Sequence, residues 1–339
     1  MKFAIISADG THKKGFTINP EQGDATSFFN WIDVLGGVHL SFLALREEDN
    51  SYLKDFDVIM MSGHLNHLTD IIRIAEYLKD SKTITMFYPE GSAQLYDNSI
   101  NGFHREFYDA WNACDILSIA EEDKIGYYKA FIRSETIVRF VHVPLRHEME
   151  MGDFMRPWSQ KKKEVAIVYG DNNPNHPMIA MACAKMAGMD AVLVDSDRGK
   201  LRDIMSVFPS MRFASTTKLA QYPFLRVLSE AGISFYPTEW IGTARHQISC
   251  AVTGTICIGN HDSHTQRRLY PDWLSFDIYD VDGMVSAAKR IMASEMEYDS
   301  VSETAFEKVQ FYNLKNTMKR FTSAIHDAKN VKHKVSVPT

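Results

Sequence analysis

The stretch Glu164-Val165-Ala166-Ile167-Val168-Tyr169-Gly170 decides the fold, because it repeats in mid-chain the pattern with which the chain opens, MKFAIISADG at residues 1–10. Each is an apolar run, too short for a helix, that closes on a glycine. This is how a strand buried on both faces of a parallel sheet reads. Working outward from it, residues 146–163 (RHEMEMGDFMRPWSQKKK) are charged and irregular, with Pro157 inside, and form a linker. Before the linker, strands at 38–45, 57–62, 83–88, 116–120 and 137–143 are separated by helices at 25–35, 68–79 and 102–113. After it come helix 177–187, strand 190–195, a short strand at 212–214, helix 219–231, strand 233–237, helix 243–252, strand 255–259, helix 263–269, strand 275–279 and a helical end from 281. Strands separated by helices specify parallel sheets with right-handed crossovers.

The chain has 339 residues, about twice the common domain size. The restart therefore implies two Rossmann-like α/β domains, 1–150 and 164–300, with a helical segment 301–339 that packs back on the first. Open α/β sheets bind ligands at the carboxyl ends of their strands, which points to a central cleft. A hydrophobic fraction of 45% with 24% charged residues is ordinary globular composition, neither fibrous nor disordered. The net charge of −6 argues against non-specific coating of nucleic acid but leaves local basic patches open. Cys114, Cys183, Cys250 and Cys257 have no metal or redox spacing and read as buried small hydrophobes. With no apolar run of membrane length and no signal-peptide profile, the reading is a cytoplasmic monomer with no membrane partner.

The segment 232–260, GISFYPTEWIGTARHQISCAVTGTICIGN, carries the most chemistry. A strand ends at Tyr236-Pro237, a loop with Gly242 follows, and a helix opens with Thr243 and Arg245. A helix N-terminus offers free backbone N–H groups and the positive end of a dipole, and Arg245 adds a fixed charge, so a diphosphate is well held there. An ordinary βαβ unit with a threonine cap has the same appearance. The loop Asn260-His261-Asp262-Ser263-His264 contains metal-ligand residue types, but no further cysteine or carboxylate completes a tetrahedral set. No metal is obligatory, and a divalent cation such as Mg or Mn remains possible. His261 and Arg267 instead face a sugar or its phosphates, or else belong to a solvated loop and a charged helix face.

The turn Ala251-Val252-Thr253-Gly254-Thr255 resembles the small-residue turn of the carboxyl-terminal donor site in GT-B glycosyltransferases. The wider layout resembles the bacteriophage DNA β-glucosyltransferase family in its MK-x-AII start, the run Met151-Gly152-Asp153-Phe154, Lys161-Lys162-Lys163 and the strand ending Tyr169-Gly170. The resemblance implies a GT-B fold in which two Rossmann-like domains face a central cleft, the first binding the acceptor and the second a nucleotide-sugar, UDP-glucose or a related UDP-sugar. It implies transfer to a hydroxymethylated pyrimidine in double-stranded phage DNA with inversion. The family's base is an acidic residue after an N-domain strand that ends in an aromatic, and Thr85-Met86-Phe87-Tyr88-Pro89-Glu90 puts Glu90 in that place with an offset of one residue that an insertion would absorb; a solvated loop Glu or a helix cap before Gly91-Ser92 is the other reading. A carboxylate at that strand end can accept a hydroxyl proton as the oxygen attacks an anomeric carbon. A retaining GT-B enzyme on another acceptor, and a non-catalytic sugar-nucleotide or DNA binder, are the alternatives.

On this reading the donor side comprises Gly170, Asn172, Asn173, Gly242, Thr243, Arg245, His246, Ser249, His261 and Arg267. The acceptor side comprises Lys13, Lys14, Asp24, Gln94 and Tyr96, the last two placed to receive a flipped base. Two departures stand out. Where the family has arginines after Tyr-Gly, this chain has Asp171-Asn172-Asn173, and where it has a ribose-binding Glu, this chain has Ser249 or, with a shift, Gln247. Basic residues at Arg139, Arg146, Lys161 to Lys163, Lys329, Lys332 and Lys334 are available to DNA phosphates, or are simply surface lysines.

Overall fold

The alternating strands and helices of the first half become β1 (Phe3–Ser7), α1 (Ser27–Leu35), β2 (Val38–Ser41), β3 (Val58–Gly63), α2 (Leu68–Leu78), β4 (Ile84–Pro89), α3 (Arg105–Ala113), β5 (Ile116–Ile119), α4 (Ile125–Phe131) and β6 (Ile137–Phe140). The computed structural model describes residues 1–8, 27–46, 49–63, 65–89, 105–145, 152–169, 176–194, 203, 206–208, 213–216, 221–239 and 244–335. The strands form one parallel sheet in the order β2-β1-β3-β4-β5-β6. Phe3, Ile5, Val58, Met60, Ile84, Met86 and Ile116 line one core, while Ala4, Ile6, Ile59, Met61 and Phe87, at the alternate positions, are equally buried. A sheet with both faces apolar needs a layer on each side.

The strands expected at 137–143 and 275–279 end at Phe140 and Phe276, and two further elements depart from expectation. The second strand stops at Ser41 rather than at 45, because the chain turns into a 3-10 helix at Ala44–Arg46 whose Arg46 makes a bidentate pair with Asp70. Helix α4 has no counterpart among the expected helices. Its sequence, IGYYKAF, starts next to a glycine and buries only Tyr128, so its apolar period is too weak to read.

The second half contains β7 (Lys162–Tyr169), α5 (Pro177–Ala187), β8 (Asp190–Val194), β9 (Phe213–Thr216), α6 (Gln221–Glu230), β10 (Ala231–Tyr236), α7 (Arg245–Thr253), β11 (Ile256–Asn260), α8 (His264–Leu269), β12 (Ser275–Phe276), α9 (Val281–Met292), α10 (Glu295–Lys308) and α11 (Leu314–Val335). Its sheet is also parallel, in the order β12-β11-β10-β7-β8-β9. The helical end from 281 is three helices, the second capped by Ser294, whose side chain accepts from Glu297 N.

The chain divides into two compact units, one formed by the described residues up to Leu145 together with everything from Leu314, the other by the described residues from Gly152 to Asn313. Helix α11 belongs to the first unit. Its Phe321, Ala324, Ile325 and Ala328 join the core under Phe3 and Trp31, with Phe321 4.8 Å from the Trp31 ring and edge-on to Phe3 at 5.9 Å. Burying Phe321 alone is worth about 1.5–3 kcal/mol. Polar clips fix its ends: Thr317 Oγ1 lies 2.9 Å from His142 Nε2. At the other end Lys332 Nζ donates to Thr83 O and Asp115 Oδ2 at 2.8 and 3.1 Å.

Within the second unit, the carboxyl end of α7 is locked from several directions. Gly254 closes the helix at φ +72°, where an added Cβ would lie 2.7 Å from Met155 Sδ and 2.8 Å from Arg156 O. Tyr298 Oη reaches both Gly232 O and Gly254 O, at 2.7 and 2.8 Å. Buried Lys161 donates through Nζ to Ser229 O, Thr253 O and Thr255 Oγ1, and burial pushes its pKa down to about 7.

Two outcomes are expected. Gly254→Ala combines a left-handed backbone with overpacking and lowers stability by about 2–4 kcal/mol, read from urea unfolding. For Lys161, the unfolded chain holds a proton up to its ordinary pKa of 10.5 while the folded chain releases it near 7. Between those values the unfolded state binds more protons, so folding stability rises with pH. The unfolding free energy of the wild type should therefore climb relative to Lys161→Met across that window, and parallel curves would refute it.

Candidate functional site

In an open α/β sheet the ligand crevice opens where strand order reverses. In the second unit this point lies between β7 and β10, the two neighbours from which the order runs outward. Past the end of β7, the His176 N–H donates to Pro237 O just beyond β10, at 3.0 Å, and His176 Nε2 lies 3.1 Å from Glu239 Oε1. His176 is thus tied to the segment that follows β10. His176 immediately precedes α5, and Pro177 at its first position suits a helix start.

Helix α7 enters this point from the β10 side. Its Ala244 N–H donates to Thr265 Oγ1 at 2.8 Å. The dipole of α7 places positive potential at that end, beside the partly exposed Arg245. Beneath it lies a buried amide network: Ser263 Oγ donates to Gln247 Oε1 at 2.8 Å, and Gln247 Nε2 to Gln266 Oε1 at 3.0 Å. Gln266 Nε2 donates in turn to Cys257 O and Leu274 O. Gly259 is required here, since a Cβ would lie 2.9 Å from Gln266 Oε1 and 3.1 Å from Gln247 Nε2. The loop after β11 is held by Asn260 Nδ2 donating to Thr238 O and by Arg267 Nη1 donating to His261 O and Asp262 O.

Arg245, His261 and Arg267 therefore sit around the carboxyl ends of β10 and β11 within one unit. His261 and Arg267 are exposed, and Arg267 braces the loop that carries His261. His246 lies elsewhere: it is 6% exposed, its Nε2 is 2.7 Å from Ser234 Oγ, and its ring packs 4.7 Å from Tyr236. What His246 can offer a ligand is its backbone N–H. Ser249 is 2% exposed a full turn into the helix, and Gln247 is committed to the amide network. Gly170, Asn172, Asn173, Gly242 and Thr243 lie outside the described residues, as do Lys13, Lys14, Asp24, Glu90, Gln94 and Tyr96. Glu90 directly follows Pro89, the last residue of β4.

Sequence reasoning missed four groups at strand ends. One pair is His176 and Glu239, 63 residues apart, a separation at which no spacing rule operates. In the first unit Glu121 follows β5 at 1% exposure with Tyr128 Oη donating to it at 3.4 Å, and His142 follows β6 at 1% exposure. Their signal was position, a polar residue just past an apolar strand. All four cysteines are buried and free, and burial, followed by the nearby Cys250 sulfur, pushes the Cys257 thiol well above its ordinary pKa. Among the described residues no group of three or more His, Cys, Asp or Glu is arranged to hold a metal ion, and no helix is long and apolar enough to cross a membrane.

No protein-family model matches the chain, and no curated protein matches it in sequence. Solved structures match it in fold. One is an alpha-glucosyltransferase in complex with UDP and a 13-mer DNA containing an HMU base, with a TM-score of 0.65 at 11% identity over 97% of this chain and 99% of that one. OtsA gives 0.69 at 9% identity over 96% and 99%, and the sucrose-phosphate synthase of Thermosynechococcus elongatus 0.67 at 12% over 84% and 76%. The fold is α/β of the GT-B class, built from two Rossmann-like units.

The amide network generates a direct expectation. Gln266→Leu strands the Gln247 amide and two carbonyls without water, and should destabilise the protein by about 1–3 kcal/mol in urea unfolding. An unchanged midpoint would show that the network does not hold the loop.

Proposed function

We propose that this chain is a glycosyltransferase that moves a sugar from a UDP-sugar to the hydroxymethyl group of a modified pyrimidine in double-stranded DNA. The observation that carries the reading is fold likeness along 97% of the chain to an alpha-glucosyltransferase holding UDP and HMU-containing DNA. The helix N-terminus of α7 with Arg245 supports it, because it suits the diphosphate of such a donor. In the reaction the acceptor oxygen forms a bond to the anomeric carbon. The bond from that carbon to the diphosphate breaks, and UDP leaves with the electron pair. The acceptor proton needs a base.

The face of attack decides which base that is. Attack opposite the leaving group inverts the centre and calls for a carboxylate on the acceptor side, the role assigned to Glu90. Attack from the leaving group's own face retains configuration, and the departing phosphate oxygen can then take the proton. The alpha designation of the neighbour favours this second course, since UDP-glucose is itself α-linked.

Incubation with UDP-sugars and either hydroxymethylated or plain duplex DNA, followed by digestion and mass spectrometry, should show a hexose gain on the hydroxymethylated base alone. No gain with any UDP-sugar would overturn the reading. Glu90→Gln then separates the two courses: inversion predicts a fall of about 10²–10⁴-fold in kcat with a β-linked product, retention a much smaller fall with an α-linked one. The anomeric proton coupling of the released glycosyl nucleoside distinguishes them.

A further inference from the structure

Helix α11 buries one side in the first unit, and its opposite side has a composition that helix stability does not explain. Lys315, Lys319, Thr322, His326, Lys329 and His333 are all exposed and recur at alternating steps of four and three, so they form one line along the helix. No position in that line is acidic or apolar. The only carboxylate of the helix, Asp327, is turned aside to Arg139 Nη2 at 2.6 Å. Among the described residues Lys315, Lys319 and Lys329 have no ion-pair partner. Lys315 and Lys319 also oppose the helix dipole, since cations near an amino terminus and like charges four apart both weaken a helix. The first turn carries no acidic residue to offset them.

We propose that this line is a rail for the phosphate backbone of duplex DNA. Its placement fits the function proposed above, on which the choice of DNA rests. Thr317, between the first two lysines, bonds His142 just past the carboxyl end of β6, so the rail begins at the rim where β4 ends at Pro89. β4 and β6 are two strands apart, about 10 Å. From Lys315 to Lys329 the helix advances roughly 21 Å, the length of about six phosphates of one strand. Charge complementarity selects the occupant: a periodic anion with no apolar requirement matches a line with cations and no apolar side chain.

The test is fluorescence anisotropy of a labelled duplex of about 20 base pairs, titrated with the full chain between about 50 and 200 mM salt. The triple variant Lys315→Glu, Lys319→Glu, Lys329→Glu should bind at least about tenfold more weakly, and the slope of log affinity on log salt should shrink by about 0.9 for each phosphate no longer neutralised. The charge-matched control Lys2→Glu, Lys54→Glu, Lys289→Glu should bind like the wild type. The rail is overturned if the wild type binds no duplex, if the triple variant binds as the wild type does, or if the control weakens as much. Circular dichroism and thermal midpoints verify that the variants fold. Anionic lipid vesicles competing for the same lysines better than duplex also overturn it. Rail-dependent binding without sugar transfer would sink the glycosyltransferase reading and leave the rail standing.

Discussion

A parallel sheet must be covered on both faces, and in the first unit that requirement is met by borrowing. The residues up to Leu145 supply α1 over one side of β1 and β3, but the same face of β4, β5 and β6 is roofed by α11, the last helix of the chain. The second unit is therefore an insertion between a sheet and its own cover. The pairing of Phe3 with Phe321 closes a loop of more than three hundred residues. Loop closure of that length costs only slowly more than a short one, but the first unit cannot bury its core until α11 is in place. The two clips have matching roles. Thr317 on His142 fixes the carboxyl rim, and Lys332 on Asp115 fixes the opposite edge, with Asp115 Oδ2 also accepting from Thr85 N and Oγ1. The ammonium joins a carboxylate that already has hydrogen bonds, so neither charge is stranded.

What the sequence disclosed follows the strength of the local signal. β1 and β7 are apolar runs ending in small-residue loops, and both were legible with the restart between them; their central strands have two apolar faces and no competing reading. α4 was not legible, because an amphipathic helix with one buried residue, Tyr128, has no period to detect. The breaks in the helical end are set by Ser294 and Asn313, residues that occur in helix interiors too, so only tertiary packing reveals that the chain turns there. The site was half legible for a related reason. Arg245 and His261 follow strands at short range, whereas His176 meets Glu239 only because β7 and β10, far apart in sequence, are neighbours at the reversal of strand order.

The structure also changes how His246, Gln247 and Ser249 read. By sequence position His246 and Ser249, with Gln247 as the shifted alternative, read as donor-side residues. In the fold, α7 is buried along nearly its whole length between β11, α6, α8 and α10, with His246 against Ser234 of β10 and Gln247 bonded to Ser263 and Gln266. Buried polar groups of this kind carry a large penalty if left unpaired. Their use is positional: they fix the amino end of α7 and the loop after β11 as one piece, held at the far end by Lys161, Tyr298 and Gly254. A rigid helix amino terminus is a better anion receptor than a mobile one, since less ordering entropy is lost on binding.

Charge completes the picture. Six residues of α11 are Lys or Arg and one is Asp, so five positive charges are in excess there and the rest of the chain carries −11. Beyond about 8–10 Å such fields are screened at physiological salt, so a long polyanion feels the local surface rather than the total. On the proposal above, the local surface that accepts it is the line on α11. Repulsion elsewhere contributes to orientation as much as attraction on the helix, because it removes the competing ways of lying on the surface. The line starts at the carboxyl rim of the first sheet, where Thr317 meets His142, and ends at the opposite edge, where Lys332 meets Thr83 and Asp115. An overall acidic protein can in this way steer a polyanion to one rim and release it again when salt competes for the few cations involved.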